Sequence, residues 1–255
     1  MQAMSQGMSE GTSQAMSRQR AALVLGASGS VGNALVKELI RQRSLSPIVT
    51  LVRRAQPEQV SMARAAGVEL REMLVPTMTP VDLERATIEA VGSINGDVVG
   101  MCVLGIGAGT ANITLDEHRA IDVALNAAFA RGLRASGRVE HLAFMSAVGA
   151  DPTAATTGSG AAGMPRYARV KGEAEEAVKT VGPPIVSVFR PSMIIGSQHT
   201  PWLLEKLLPL ISFVTPAKFR SITAQQIAKA MIATALSTPT KTDVYHYSDM
   251  LTMNR

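Results

Sequence analysis

A doubly wound, Rossmann-type parallel sheet in an α/β single domain is the fold class this sequence predicts, and three observations predict it. Apolar runs of strand length alternate with helix-period patterns from Ala21 onward. A glycine-spaced turn, Gly26-Ala27-Ser28-Gly29-Ser30-Val31-Gly32, joins the first strand to the first helix. The alternation is regular, and right-handed crossovers then place helices on both faces of parallel strands.

Taken in order, Ala21 to Leu25 is the first strand, and apolar residues at 31, 35, 36, 39 and 40 mark one face of a helix over Val31 to Arg43. Ile48 to Val52 is short and β-branched, a second strand. Gln56 to Ala66 is helical and closes at Gly67. Val68 to Leu74 is a third strand, Val81 to Val91 a helix, and Asp97 to Leu104 a fourth strand ending in the loop Gly105-Ile106-Gly107-Ala108-Gly109. A long helix follows over Leu115 to Arg134, with Ile121, Leu125, Ala128 and Phe129 on its buried side. Val139 to Met145 is the fifth strand, Arg166 to Val181 a helix, and Ile185 to Phe189 the sixth strand. Pro201 to Leu210, a helix over Thr223 to Leu236 and a strand-like Asp243 to Tyr247 complete the chain. Residues 1–20 carry no apolar periodicity and read as a disordered tail. Residues 21–255 form one Rossmann domain, whose part from about Ile195 supplies a substrate-side lid.

Composition narrows the function. With 46% hydrophobic and 18% charged residues the chain buries a core. A single cysteine, Cys102, lies in an apolar run and reads as a buried thiol in a reducing compartment. The cytoplasm is therefore expected, with mitochondrial targeting, from Arg18 and Arg20 among serines, as the alternative. No apolar run approaches the ~18 residues of a membrane span. The net charge of +5 is scattered and only 4% of residues are aromatic, which argues against nucleic acid.

The glycine turn carries the first chemical reading. Gly26 ends a strand where a tight turn needs positive φ or close backbone approach. Free N–H groups at the helix start, around Ser28, Gly29, Ser30 and Val31, then face an anion such as a dinucleotide pyrophosphate. Gly32 lets helix and strand pack closely, and Ser28 stands where the commoner fingerprint has glycine. At the end of the second strand an acid would bind the 2′-hydroxyl of NAD; here Arg53 and Arg54 stand instead. A guanidinium suits a 2′-phosphate, so NADP(H) is preferred over NAD(H), unless these arginines are simply solvated surface.

Tyr167 and Lys171 stand four residues apart on one helix face. A free phenol, titrating near ~10, is a poor base at neutral pH. A neighbouring ammonium favours the phenolate, which allows proton exchange with a carbonyl or alcohol during hydride transfer. The pair opens the helix after the fifth strand, beside the strand ends where ligands bind in such sheets.

The glycine turn, the Tyr-x-x-x-Lys pair and Val188-Phe189-Arg190-Pro191 together resemble the short-chain dehydrogenase/reductase superfamily, in its atypical Tat-interacting-protein-like branch. The resemblance is closest over Cys102 to Gly109 and Val139 to Pro191. It implies Tyr167 as general acid/base, Lys171 as its partner and Ser146 as the hydroxyl that polarises a carbonyl. Leu104, Gly105, Arg190 and Pro191, at strand ends, join the cofactor-binding set. Two departures stand out: Ala147 replaces a second serine of relatives, and a Thr-, Ala- and Gly-rich stretch between Asp151 and Pro165 lengthens the gap to Tyr167. That stretch either leaves the site intact as a loop or disorders it. Relatives also carry an acid after the third strand, where this chain has Leu74-Val75-Pro76-Thr77.

His118, His141, His199 and His246 show no metal-ligand spacing and read as structural or surface residues; no metal is expected. Asp116 and Glu117 support a helix start, and Ser187 lacks a nucleophile's context. Met193, Ile194 and Gly196 either floor the nicotinamide pocket or pack. Trp202 to Leu210 is a lid or oligomer helix, with a membrane-surface helix as the lesser alternative, so a homodimer enters the expectations. The leading function is an NADP(H)-dependent oxidoreductase acting on a small-molecule carbonyl or alcohol. The opposing one is a non-catalytic NAD(P)-binding regulator or scaffold, and an isomerase or dehydratase is the third.

Overall fold

Alternating apolar runs become a seven-stranded sheet in the computed structural model, which describes residues 20–195 and 220–254. In chain order the elements are β1 (Arg20–Leu25), α1 (Ser30–Gln42), β2 (Ile48–Val52), α2 (Pro57–Ala65), β3 (Leu70–Leu74), α3 (Pro80–Gly92) and β4 (Asp97–Cys102). There follow α4 (Leu115–Arg119), a π-helical turn (Ala120–Leu125) and α5 (Asn126–Ala135), continuous with one another. Next come β5 (His141–Met145), α6 (Pro165–Val181), β6 (Ile185–Phe189) and β7 (Ile194–Ile195). The chain continues with β8 (Ile222–Thr223), α7 (Ala224–Leu236), β9 (Asp243–Tyr245) and α8 (Tyr247–Thr252).

The strand order is β3-β2-β1-β4-β5-β6-β9, and every pairing in this sheet is parallel. It is the Rossmann-like α/β arrangement. The order reverses between β1 and β4, and the crevice at such a switch point is where ligands of these sheets bind. Successive side chains of β1 point to opposite faces. Ala22 and Val24 join Leu35, Leu39, Ile227 and Met231 in one core, under α1 and α7. Ala21, Leu23 and Leu25 join Leu83, Phe129, Leu133 and Val178 in the other, under α3, α5 and α6.

Several boundaries move for local reasons. Gly67 takes φ +66°, and the Val68 N–H goes back to Ala63 O, so β3 starts at Leu70 and not at Val68. β4 ends at Cys102, although the Val103 N–H still reaches Leu25 O. The last strand is shorter than expected and stops at Tyr245, because His246 and Asp249 form a capping box that starts α8. The two-stranded β7–β8 pair and α8 were not anticipated. Nothing in the short Ile194–Ile195 run distinguishes it from packing in sequence. The tail was expected over residues 1–20, but Arg20 opens β1, paired with Asp97; residues 1–19, His199, Gly196 and the Trp202 to Leu210 stretch lie outside the described residues. Among the described residues no helix is long and apolar enough to cross a membrane.

Candidate functional site

Local sequence builds the glycine turn. Gly26 adopts φ +90°, and a Cβ there would stand 2.6 Å from the Leu104 amide nitrogen, so β1 and the strand-end after β4 touch through it. At Gly32 a Cβ would collide with the Gly26 carbonyl. Gly29 differs: its φ is −76° and its nearest contact, Gly26 O, would lie 3.5 Å away. Gly29 is the N-cap of α1, with no side-chain cap and no acid in the first turn. The leading N–H groups of α1 are therefore left to an outside acceptor, and the positive end of the helix dipole points the same way. Ser28 and Ser30 are exposed, while Val31 is buried beneath them.

Sequence reasoning missed a brace under this turn. Gln59, buried on the inner face of α2, donates through Nε2 to Ala27 O at 2.9 Å. Gln59 and Ala63 are the two buried residues of that helix, and their four-residue spacing was the available signal. Arg53 and Arg54 lie just past β2, exposed, where a ribose substituent would project.

The other half of the site is made of charge. Pro165 starts α6, which places Tyr167 in its first turn, partly buried, and Lys171 one turn on, 4% exposed. Lys171 Nζ lies 5.7 Å from the centre of the Tyr167 ring. It stands 2.7 Å from Asp122 Oδ2, which is wholly buried in the π-helical turn. His118, also wholly buried, brings Nε2 to 3.5 Å from the same oxygen, and its ring centre lies 5.9 Å from that of Tyr167. Asp122 Oδ1 accepts the Ile106 N–H at 3.1 Å, which ties the group to the loop after β4. Burial pushes the Asp122 carboxyl up, but the Lys171 ammonium and His118 beside it win and hold it low, to about 2. Burial likewise pulls Lys171 down, and Asp122 with Tyr167 more than offsets this, raising it above the usual lysine value.

His118, Asp122 and Asn126 form a polar stripe that the apolar periodicity of this helix concealed. Asn126 Nδ2 donates to Asp122 O at 2.7 Å, and its Oδ1 accepts the Cys102 thiol at 3.0 Å. Burial pushes that thiol up to about 12, so it stays protonated and donates. The signal was three polar residues at four-residue spacing, the last two set among the apolar residues Ala120 to Ala130.

Ser146 directly follows β5, its N–H donating to Phe189 O at 2.7 Å and its Oγ buried without a hydrogen-bond partner. Such a group costs free energy unless something else completes it, which suits a substrate oxygen. Pro191 O accepts the Val148 N–H at 2.8 Å, joining the ends of β5 and β6. Arg190 donates from Nε and Nη2 to the two oxygens of buried Glu175, at 2.8 and 2.7 Å. Its guanidinium thus braces β6 against α6. Gly105 sits where a Cβ would stand 3.0 Å from Lys171 Nζ.

The stretch between Asp151 and Pro165 is tied to α6 at its start, at Asp151 and Ala154, and touches Thr110 O at Gly160. Asp151 N–H donates to Ala168 O, Arg169 Nη1 to Ala154 O, and Arg166 Nη2 to Thr110 O and Ile113 O. It folds onto the loop between β4 and α4 and leaves Tyr167 in the first turn of α6. His141 and Ser187 hold each other at 2.9 Å inside the sheet, as structural residues. Thr114 and Glu117 form a capping box on α4, with Asp116 in its first turn.

No family model matches the chain. It is similar to Protein HTATIP2 of Rattus norvegicus, 27% identical over 191 residues, which cover 73% of this chain and 69% of that protein. Its structure is similar to a short-chain dehydrogenase/reductase from Serratia marcescens BCRC 10948, with a TM-score of 0.63 at 17% identity, over 91% of this chain and 98% of that one. It is also similar to MoeE5 in complex with UDP-glucuronic acid and NAD, with a TM-score of 0.63 at 17% identity, over 88% and 75% of the two chains. At those identities the structural likenesses speak for the fold.

Proposed function

We propose that this chain, which its relative and its structural neighbours support as a member of an atypical, short-chain dehydrogenase/reductase-like family, is an NADP(H)-dependent oxidoreductase of a carbonyl or alcohol. The observation that carries the reading is the buried Lys171 ammonium 5.7 Å from the Tyr167 ring centre, at the carboxyl ends of the strands.

The residues fit a nicotinamide dinucleotide. The uncapped start of α1 would take the pyrophosphate on its N–H groups, with Gly26 and Gly32 letting the backbone come close. Arg53 and Arg54 would meet a 2′-phosphate by charge-assisted hydrogen bonds. Leu104 and Gly105 would line the cofactor beside β4, and Pro191 would line it beyond β6. When bound, the nicotinamide supplies or accepts the hydride. Tyr167 would give its phenolic proton to the carbonyl oxygen in reduction, or take the alcohol's proton in oxidation. Lys171 would hold a cation beside Tyr167, and Ser146 would donate to the same substrate oxygen, completing its orphaned hydroxyl.

The test follows NADPH and NADH binding by fluorescence and NADPH oxidation across a panel of carbonyl compounds. Wild type is expected to bind NADPH at least tenfold tighter than NADH, a difference of about 1.4 kcal/mol. Arg53→Ala with Arg54→Ala is expected to erase that preference, and Tyr167→Phe to remove turnover while nucleotide binding persists. Equal affinities in wild type would sink the arginine reading. Turnover unchanged in Tyr167→Phe would sink the proton-transfer reading. Tight nucleotide binding without turnover on any carbonyl would favour the regulatory alternative.

A further inference from the structure

We infer that Asp122 is a positioning residue for Lys171, its carboxylate strapping the lysine ammonium to the loop after β4 so that the cation stands at one fixed point beside Tyr167. The catalytic meaning of this rests on the proton-transfer reading of Tyr167 and Lys171 above; the strap itself does not.

The two oxygens of Asp122 have separate duties. Oδ1 accepts the Ile106 N–H, and Oδ2 faces Lys171 Nζ at 2.7 Å. The carboxylate is thus a bridge between the strand-end loop of β4 and helix α6, elements that also meet at Gly105 and, farther along the loop, through Arg166. That glycine is part of the fit, because a Cβ would press to 3.0 Å from Nζ and 3.4 Å from Asp122 Oδ2. The main chain of Asp122 is itself fixed, through Asn126 Nδ2 to Asp122 O and from Asn126 Oδ1 to the Cys102 thiol of β4. A π-helical turn spans Ala120–Leu125, the irregularity that brings an extra residue into a helix and that recurs at functional sites.

Energetics say why the strap decides where the lysine stands. An ammonium this buried is strongly disfavoured unless an anion accompanies it. Among the described residues Asp122 is the acid within ion-pair distance of Nζ. The other ionisable groups facing Lys171 are Tyr167 on its own helix, Cys102 on β4 and His118 beside Asp122. Cys102 is held protonated, so it contributes no compensating charge at neutral pH. Without the carboxylate the lysine would lose either its charge or its place, and Tyr167 would lose a fixed cation in both cases.

The experiment reads Lys171 directly, by a pH titration of 15Nζ-labelled protein in which the Lys171→Met variant assigns the signal. NADPH and NADH affinities are measured alongside at neutral pH and about pH 9. In wild type the signal is expected to stay that of an ammonium beyond the ordinary lysine midpoint of ~10.4. In Asp122→Asn the midpoint is expected to fall below that value by about two units or more, and Asp122→Glu is expected to recover part of the fall. A Lys171 titration unchanged by Asp122→Asn would overturn the inference. If neither Asp122 variant folds, wild type decides, and a midpoint at or below that of ordinary lysine would overturn it. A midpoint that moves as expected in a protein that binds neither nucleotide leaves the strap standing and removes the oxidoreductase reading instead.

Discussion

Around β1 and α1 the candidate site is made of main chain, whereas between the π-helical turn and α6 it is made of buried ionisable side chains. The first region needs two absent side chains, at Gly26 and Gly32, and an uncapped helix start. The second needs Lys171, Asp122 and His118 to be taken out of water together, with Glu175 and Arg190 bracing the same helix to β6. A main-chain site depends on a few contiguous residues, so its specification is local. A charged site depends on residues brought from separate elements, and each is costly until the others arrive. The two regions should therefore fail in different ways when altered.

The largest effect is expected at Gly32. A Cβ there meets the Gly26 carbonyl, which the strand holds in place, so neither side can give way cheaply. Gly32→Val is expected to cost more than about 3 kcal/mol in a denaturant melt and to abolish nucleotide binding in a fluorescence titration. A Gly32→Val protein that melts and binds as wild type does would break the claim that close main-chain approach makes this half.

Next comes acid pH, which should act first on a buried histidine of the sheet that belongs to neither half. His141 on β5 is 8% exposed, with Nε2 at 2.9 Å from Ser187 Oγ. Burial, helped by the charge of Arg20, lowers it from 6.5 to about 4. The unfolded chain therefore binds the proton first. Stability from this residue is fully present above about pH 6.5 and is lost as pH falls through about 4. The loss is on the order of 3 kcal/mol. His141→Gln is expected to flatten that segment of a plot of unfolding free energy against pH, and an unchanged slope would show that other groups carry the acid sensitivity.

A smaller effect is expected at Glu175, 2% exposed, whose oxygens take both donors of Arg190. Glu175→Gln leaves the guanidinium without its counter-charge, but Arg190 keeps 24% side-chain exposure and can recover water. The expected cost is about 2 kcal/mol by chemical denaturation, below the range for a fully buried pair. A stability unchanged within error would mean that the pair contributes little to holding α6 on β6.

How much of this was legible follows the same division. The alternation of strands and helices was readable because each period comes from adjacent residues, and parallel strands with helices on both faces followed from it; the order of the strands did not. The glycine turn was readable for the same reason. Tyr167 and Lys171 were readable because both lie on one helix. Asp122 and His118 were passed over, since an aspartate and a histidine within a helix look solvated until the partner on α6 is placed against them. Gln59 was missed because its acceptor, Ala27 O, belongs to another element. The periodicity of Leu115 to Arg134 was read from its apolar residues alone, and the polar stripe beside them lay in a segment whose π-helical turn alters the helical register.

The smallest expected change in stability sharpens the main-chain half from within. Three glycines space the turn, yet their steric demands are unequal. Gly29 has an ordinary φ of −76°, and a Cβ there would sit 3.5 Å from Gly26 O, a normal contact. Folding alone gives little reason for glycine at this N-cap, where Ala would cost no more than about 1 kcal/mol. Gly29 is exposed, however, at the open start of α1, where an anion would come against the backbone. Gly29→Ala is accordingly expected to shift the melting curve by less than that ~1 kcal/mol. It is also expected to weaken NADPH binding about tenfold, because the added methyl keeps the pyrophosphate from the amides. Unchanged affinity would mean that the ligand approaches the helix from another side. A large loss of stability would mean that this glycine, like Gly32, serves packing.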